Sequence, residues 1–304
     1  MEFGRVTPAI LDRLDLSLPV EPVSNSRILS GKPTIAPKAY VGSVRWGNTD
    51  WVGTIYPKGT KSADFLKAYA RLFNTVEHNA TFYRIPSEQQ VLGWKAKVGA
   101  EFRFCPKFPE VITHIKRLQQ CDDLVDLFLQ SITCLGNNLG PIFLMPHPQM
   151  GVQQWTVISN FLHSLPGDLP LFVELRHPSF FVQQLSALVS DTLGQLGMGL
   201  VITDTVGRKD CLHMHLTIPK AFIRFVGNNL HPTDYARIDA WVLRIQQWLL
   251  QGLEELYFFV HQPEEAHSPV LAAYLIKQLN AVCGLQLQVP QFVQEQPMQK
   301  GLFD

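Results

Sequence analysis

From residue 39 onward, short apolar segments alternate with amphipathic helices, and this alternation constrains the fold more than any other feature of the sequence. The predicted strands are Ala39–Val44, Thr75–Asn79, Phe102–Phe108, Pro141–Met145, Leu171–Glu174, Gly199–Thr203, Phe222–Val226 and Glu255–Val260. Most of them are nearly continuous apolar runs, which are typical of parallel strands covered by helices. The regular alternation predicts an α/β fold, a single-domain, closed (β/α)8 TIM-like barrel with an N-terminal extension, rather than an open doubly wound sheet.

The two ends of the chain differ in composition from its body. Residues 1–38 are rich in proline, serine and charge and are predicted to form an N-terminal extension that wraps the domain. Residues 39–290 are predicted to form the barrel, and residues 291–304, which include a glutamine-rich stretch, a C-terminal tail.

The charge and cysteine content exclude several classes of protein. Lys and Arg number 26, as do Asp and Glu, so an extended basic surface for duplex DNA is not expected and nucleic acid is a disfavoured partner. The five cysteines are scattered, without a C-x-x-C pair, which indicates a reducing compartment. The sequence also lacks an apolar leader and any apolar run of membrane-spanning length, and we therefore expect a cytoplasmic protein with no membrane partner.

Ionisable side chains occur at almost every predicted strand end and are scarce at the strand starts. The candidate catalytic residues are Glu77, Lys107, His114, Glu174 and His177, and the candidate ligand-binding residues are Trp46, Asn79, Tyr83, Arg176, Asp204, Arg224 and His261. Any one of them alone is more often half of a structural ion pair. Because barrel chemistry takes place at the carboxyl ends of the strands, the polarity of the whole set predicts a ligand pocket there.

The residue types at these strand ends favour an enzyme that acts on a small polar or anionic metabolite, such as a phosphosugar. Lys107, Arg176 and Arg224 would hold the negative charge. Glu77 or Glu174 would serve as general acid or base, with His114 or His177 as partner. Alternatively, Lys107 would form a Schiff base if desolvation lowered its pKa.

Two other functions stay open at this point. A divalent-metal phosphodiesterase or nuclease would use ligands drawn from Glu77, Glu174, His177, Asp204 and His261. The zero net charge and the interior basic residues count against it. The third reading is a small-molecule binding protein without turnover. No Gly-x-Gly-x-x-Gly motif follows the first strand, so a nucleotide cofactor is not expected, whereas a divalent metal stays open as a cofactor.

Several of these segments also carry a family likeness. The runs Phe73–Tyr83 and Val173–Ser179, with Ile112–His114 between them, are similar to segments of the YecE-like family, domain of unknown function 72. The likeness extends over about residues 39 to 290. It implies a barrel related to the triosephosphate isomerase type, but no reaction, because the family is named for having none established.

Three positions depart from the pattern of that family. Met145 stands where the family usually shows glutamine, Val226 where it shows histidine, and His261 lies within a run that is usually Phe-Asn-Asn. These departures predict that one side of the pocket differs from that of its relatives.

The C-terminal tail contains Gln299, Leu302 and Phe303 in a Gln-x-x-Leu-Phe pattern. Docking of the Leu-Phe pair on the barrel is the simpler interpretation, because exposed pairs of this kind are usually covered. The pattern also resembles the short peptide through which many bacterial proteins bind the replication sliding clamp, which would make the clamp a partner.

Overall fold

Eight strands alternate with helices in the computed structural model, which describes residues 6–11, 13–29, 31, 36–181 and 187–293. The strands are Lys38–Ser43 (β1), Thr75–His78 (β2), Arg103–Pro106 (β3), Ile142–Leu144 (β4), Leu171–Val173 (β5), Gly199–Thr205 (β6), Lys220–Val226 (β7) and Glu255–His261 (β8). The helices are Pro8–Leu11 (α1), Asn25–Ile28 (α2), Phe65–Tyr69 (α3), Ala80–Tyr83 (α4), Glu88–Lys95 (α5), Asp122–Thr133 (α6), Trp155–Ser164 (α7), Ala187–Gln195 (α8), Pro232–Gln251 (α9) and Ser268–Cys283 (α10). Each strand therefore lies within about two residues of its predicted position.

The prediction of a closed eight-stranded barrel is wrong. All ladders are parallel, but they form a six-stranded sheet in the order β1-β8-β7-β6-β5-β4 and a separate two-stranded sheet of β2 and β3. The protein is α/β, with an open, curved six-stranded sheet and a small second sheet in place of a closed TIM barrel.

Side chains take the place of a backbone ladder between β1 and β2. The Asn74 side-chain oxygen accepts a hydrogen bond from Val41 N at 2.9 Å, and the Asn74 side-chain nitrogen donates to Ala39 O, also on β1, at 2.9 Å. The Tyr69 hydroxyl accepts from Ser43 N at 2.7 Å and donates to Thr75 O at 2.9 Å. Because these groups occupy the backbone donors and acceptors that face the gap, no ladder forms there.

Between β3 and β4, isolated backbone hydrogen bonds replace a ladder. Gly140 N donates to Phe104 O at 2.7 Å, and Phe108 N donates to Phe143 O at 3.0 Å. A Cβ atom at Gly140 would lie 2.8 Å from Cys105 Sγ, so glycine permits this close approach. Only isolated bridges thus join β3 to the β4 segment, whereas the three residues of β4 form a continuous ladder with β5.

The two sheets enclose one shared interior. Its apolar layer consists of Tyr40, Cys105, Phe143, Phe172, Val201, Phe222, Tyr257 and Phe259. Side chains two positions apart on a strand point to the same face. Residues that follow this layer by two positions therefore also point inward, at the carboxyl ends of the strands.

The N-terminal extension packs against α9 and the segment before β7. Glu21 accepts hydrogen bonds from Arg244 at 2.6 Å and from Trp248 at 2.9 Å. The buried Asn25 amide donates to Met214 O and accepts from Leu216 N. These bonds account for the position of residues 21 to 25 on the domain.

No helix in the described part of the chain is long and apolar enough to cross a membrane. The tail residues Gln299, Leu302 and Phe303 lie outside the described residues, and sliding-clamp binding through them stays a prediction.

We predict that Tyr69→Phe lowers the free energy of unfolding by about 1–3 kcal/mol, because it removes the acceptor of a buried backbone N–H. Urea unfolding of the purified protein measures the change. Tyr83→Phe is the matched control, since Tyr83 is 73% exposed, and it should change stability by less than about 0.5 kcal/mol. Equal effects of the two substitutions would contradict the proposed role of the Tyr69 hydroxyl.

Candidate functional site

The site forms from interior residues directly beyond the apolar layer. Glu77 follows Thr75 by two positions, and Arg224 likewise follows Phe222. The same spacing brings Lys107, Glu174, Thr203 and His261 inward from β3, β5, β6 and β8. All six residues are buried, so the alternation of the strands concentrates charge in one layer.

Arg224 is the centre of this layer. Its Nε and Nη2 atoms donate to the two carboxylate oxygens of Glu77 at 2.7 and 2.8 Å. Its Nη1 atom donates to both carboxylate oxygens of Glu174 at 3.0 and 2.9 Å. One guanidinium group thus binds two carboxylates, a use of its planar geometry that a lysine ammonium could not match.

Two further interior residues complete the surroundings of Glu174. Arg176 Nε donates to Glu174 Oε1 at 2.8 Å, and Arg176 Nη2 lies 2.7 Å from the same oxygen. The Thr203 hydroxyl donates to this oxygen at 2.8 Å. Glu174 therefore accepts charge-assisted hydrogen bonds from two arginines and one neutral hydrogen bond.

Two further residues contact the carboxylate of Glu77. Asn79 Nδ2 donates to Glu77 Oε1 at 2.7 Å. His261 Nε2 lies 3.3 Å from the Glu77 carboxylate and 3.4 Å from Arg224 Nη2. His261, one of the departures from the family pattern, is thus part of the site itself.

The pKa values of both carboxyl groups reflect this pairing. Burial alone would raise them, but the positive charges beside each group outweigh burial. Arg224 and His261 hold the pKa of Glu77 well below its ordinary value, and Arg176 and Arg224 lower the pKa of Glu174 to about 2. Both groups are carboxylates at neutral pH, and neither is poised to donate a proton.

Lys107 differs from the other charged residues of the site. Its side chain is 4% exposed, and its Nζ lies 4.0 Å from the centroid of the Phe82 ring, with the Phe143 ring at 5.8 Å. Within the described residues, no atom accepts a hydrogen bond from Nζ and no carboxylate lies within 4.0 Å of it. Burial, reinforced by the charge of Arg224, lowers the pKa of Lys107 to about 7.

A π-helical turn, Val111–Ile115, carries His114 to the same region. The His114 ring packs edge-on against Phe82 at 5.0 Å, and its Nδ1 atom is hydrogen-bonded to Thr113 Oγ1 at 2.8 Å. Burial and the charge of Lys107 lower the pKa of His114 to about 4. The imidazole is therefore neutral at pH 7 and lies on the same aromatic ring as the lysine amine.

Asp204 lies outside this group. It follows the inward-facing Thr203 by one position and therefore points to the outer face of β6. There its carboxylate pairs with Lys209 at 3.0 Å and Arg237 at 2.9 Å, and accepts a hydrogen bond from Trp241 at 2.9 Å. These contacts fasten α9 to the sheet.

Three other predicted residues are also placed away from the charged layer. His177 caps the 3-10 turn Pro178–Phe180, accepting a hydrogen bond from Ser179 N. Trp46 stacks on His78 at 4.6 Å, behind β2. Tyr83 is exposed.

Sequence reasoning missed four residues of the site. Thr203 would have been found by counting alternate positions along β6 instead of taking its last polar residue. Phe82 and Phe143 carry no charge, although their rings frame Lys107. Glu265 follows β8, and burial raises its pKa despite the charge of His261.

The described residues contain no group of three His, Cys, Asp or Glu side chains that could hold a metal ion. Both interior glutamates are bound by arginine, and Asp204 and His177 lie elsewhere. The geometry therefore gives no support to the metal-dependent phosphodiesterase reading.

We predict that Glu174→Gln lowers the free energy of unfolding by about 3 kcal/mol at pH 7, because it leaves buried arginine charge without its partner. Urea unfolding with Glu88→Gln, an exposed glutamate, as control measures this loss. A wild-type stability for Glu174→Gln would show that the pairing does not stabilise the fold.

The same pair predicts a pH dependence. Because the folded pKa of Glu174 is lowered to about 2, its contribution is complete above the unfolded value of about 4.3 and is lost as the pH falls toward 2. The stability difference between wild type and Glu174→Gln should therefore shrink between pH 5 and pH 2 in urea titrations. A constant difference over this range would contradict the assignment.

Comparison with known proteins gives one consistent family. A family model described as "Protein of unknown function DUF72" matches residues 40–295. The UPF0759 protein YecE of Escherichia coli (strain K12) is 31% identical over 283 residues, which cover 87% of this chain and 99% of YecE. The UPF0759 protein YunF of Bacillus subtilis (strain 168) is 27% identical over 164 residues, 50% of this chain and 57% of YunF.

Solved structures agree with this at the level of the fold. A DUF72 family protein from Enterococcus faecalis V583 aligns with a TM-score of 0.65 and 18% identity, over 86% of this chain and 99% of its own. A DUF72 family protein from Thermotoga maritima MSB8 aligns with a TM-score of 0.63 and 22% identity, over 80% of this chain and 99% of its own.

Proposed function

This chain belongs to the DUF72 family of proteins of unknown function, and from its strand-end site we propose that it is an enzyme acting on a small anionic metabolite by acid–base chemistry. The observation that carries the proposal is the Lys107 amine. Among the described residues it is buried against aromatic rings without a counterion, whereas Glu77, Glu174, Arg176 and Arg224 are joined in ion pairs. A buried group with a strongly perturbed pKa in a polar site is a functional candidate.

The paired residues explain the state of Lys107. Arg224 binds both carboxylates, so neither forms a direct ion pair with the lysine ammonium, and burial and the charge of Arg224 outweigh their attraction. A pKa near the physiological pH is the value at which an amine best accepts and returns a proton. Lys107 is therefore the general base of the proposed reaction, with the neutral His114 beside it.

The charge balance supports an anionic ligand. Lys107, Arg176 and Arg224 supply three basic groups, and Glu77 and Glu174 supply two carboxylates. When Lys107 is protonated, these five groups carry one positive charge in excess. A phosphate or carboxylate group of a small metabolite would neutralise this charge and would stabilise the ammonium form of Lys107.

We predict that Lys107 titrates near pH 7 in the folded protein, because burial disfavours its charged form. NMR titration of protein labelled with ¹³C at the lysine Cε atoms measures this directly, with the Lys107 signal assigned by its loss in Lys107→Arg. If all lysine signals titrate at the ordinary value of about 10.4, the proposed base does not exist.

The ligand class is tested by a thermal-shift screen of small phosphorylated and carboxylated metabolites. A true ligand should raise the melting temperature of the wild-type protein and the pKa of Lys107. It should raise the melting temperature of the Lys107→Met variant far less. Unaltered melting with every anionic compound, or equal shifts in both proteins, would overturn the proposal.

We further predict that Lys107→Met stabilises the protein by about 1–3 kcal/mol at pH 6, because it removes a buried amine that lacks a partner. The gain should decrease above pH 7, where the native amine is already neutral. Urea unfolding of both proteins at pH 6 and at a pH above 7 measures the gain in stability and its decrease. A loss of stability at pH 6 would show that Lys107 serves the fold.

A further inference from the structure

We propose that the metabolite carries an aldehyde or ketone group and that Lys107 binds it covalently as an imine. This inference rests on the proposed function, names the class of its substrate and makes the Lys107 amine the nucleophile of the reaction in place of its general base. A neutral amine whose nitrogen takes part in no hydrogen bond has its lone pair available to a ligand, and a carbonyl carbon is the electrophile with which it reacts reversibly.

The surroundings of Nζ suit this reaction. No carboxylate lies within ion-pair distance among the described residues, so nitrogen is not held in a salt bridge that attack would have to break. The Phe82 ring contacts Nζ at 4.0 Å. A protonated imine keeps the positive charge of the ammonium, so the attraction of the ring for a cation persists in the product.

The step balances without a further reactant. The neutral Lys107 amine attacks the carbonyl carbon, a C–N bond forms, and the carbonyl π bond breaks to give a carbinolamine. One proton moves from nitrogen to the former carbonyl oxygen and completes the carbinolamine hydroxyl. A second proton, the one that the ammonium released when it became the neutral amine, then protonates this hydroxyl, the C–O bond breaks, and water leaves. Counted from the ammonium, lysine and carbonyl give a protonated imine and one water molecule, with no oxidation or reduction.

His114 is placed to move the proton in this step. Its ring and the lysine amine contact the same Phe82 side chain, and its Nδ1 atom is engaged by Thr113. A neutral imidazole can accept the proton from nitrogen and return it to the departing oxygen. The anionic end of the ligand would balance the positive charge of the protonated imine, because Glu77 and Glu174 already neutralise the two arginines.

The imine is tested by reductive trapping of the full-length protein. We would incubate it near pH 7 with sodium cyanoborohydride and pyruvate, an anionic ketone, and in parallel with dihydroxyacetone, a neutral one. Peptide mass spectrometry should find the reduced adduct on Lys107 at least about tenfold above any other lysine. Pyruvate should label it more than dihydroxyacetone does.

Matched variants make the outcome decisive. Lys107→Met and Lys107→Arg should lose the adduct, and Lys58→Met, which removes an exposed lysine, should keep it. Labelling spread evenly over surface lysines, or undiminished in both Lys107 variants, would overturn the imine. If Lys107 titrates near pH 7 but forms no adduct with either probe, the imine fails while acid–base catalysis stands. If it also titrates near its ordinary pKa, both fail.

Discussion

The rest of the structure depends on the contact of Arg224 with two carboxylates. Glu77 belongs to the two-stranded sheet and Glu174 follows a strand of the six-stranded one, so this guanidinium joins two sheets that no ladder connects. Its charge is buried and fully paired, a situation in which removing one partner costs far more than the net worth of the pair. This one side chain thus arranges the charged groups of the site, and it joins the two sheets together with the hydrogen bonds at the β1–β2 and β3–β4 gaps.

The same contact determines the chemistry that remains available. Because Arg224 holds both carboxylates in their ionised form, with Arg176 added at Glu174, neither serves as an acid, and neither pairs directly with Lys107. Lys107 follows β3 and extends into the interior, where its amine contacts the Phe82 ring instead of a carboxylate. A network of ion pairs that is structural residue by residue thus leaves the Lys107 amine, within the described part of the chain, without a carboxylate partner.

The sequence predicted the strands well, because continuous apolar runs are unambiguous when helices separate them. It also predicted that Glu77, Glu174 and Arg224 would meet, since parallel strands end at one edge. It could not predict the open sheet, which depends on the Asn74 and Tyr69 side chains entering the gap beside β1. Residue type alone likewise could not show that Asp204 points outward, because one position along a strand reverses the face.

The gap between β1 and β2 has a consequence for which substitutions this fold tolerates in evolution. Hydrogen bonds of a backbone ladder survive almost any substitution, since every residue except proline carries the same donor and acceptor. The hydrogen bonds of Asn74 and Tyr69 are made by side chains, and a single substitution at either position removes them. At the gap between β1 and β2, selection therefore acts on individual side chains to keep the strands together. In the ladders, the backbone of almost any sequence makes the same hydrogen bonds.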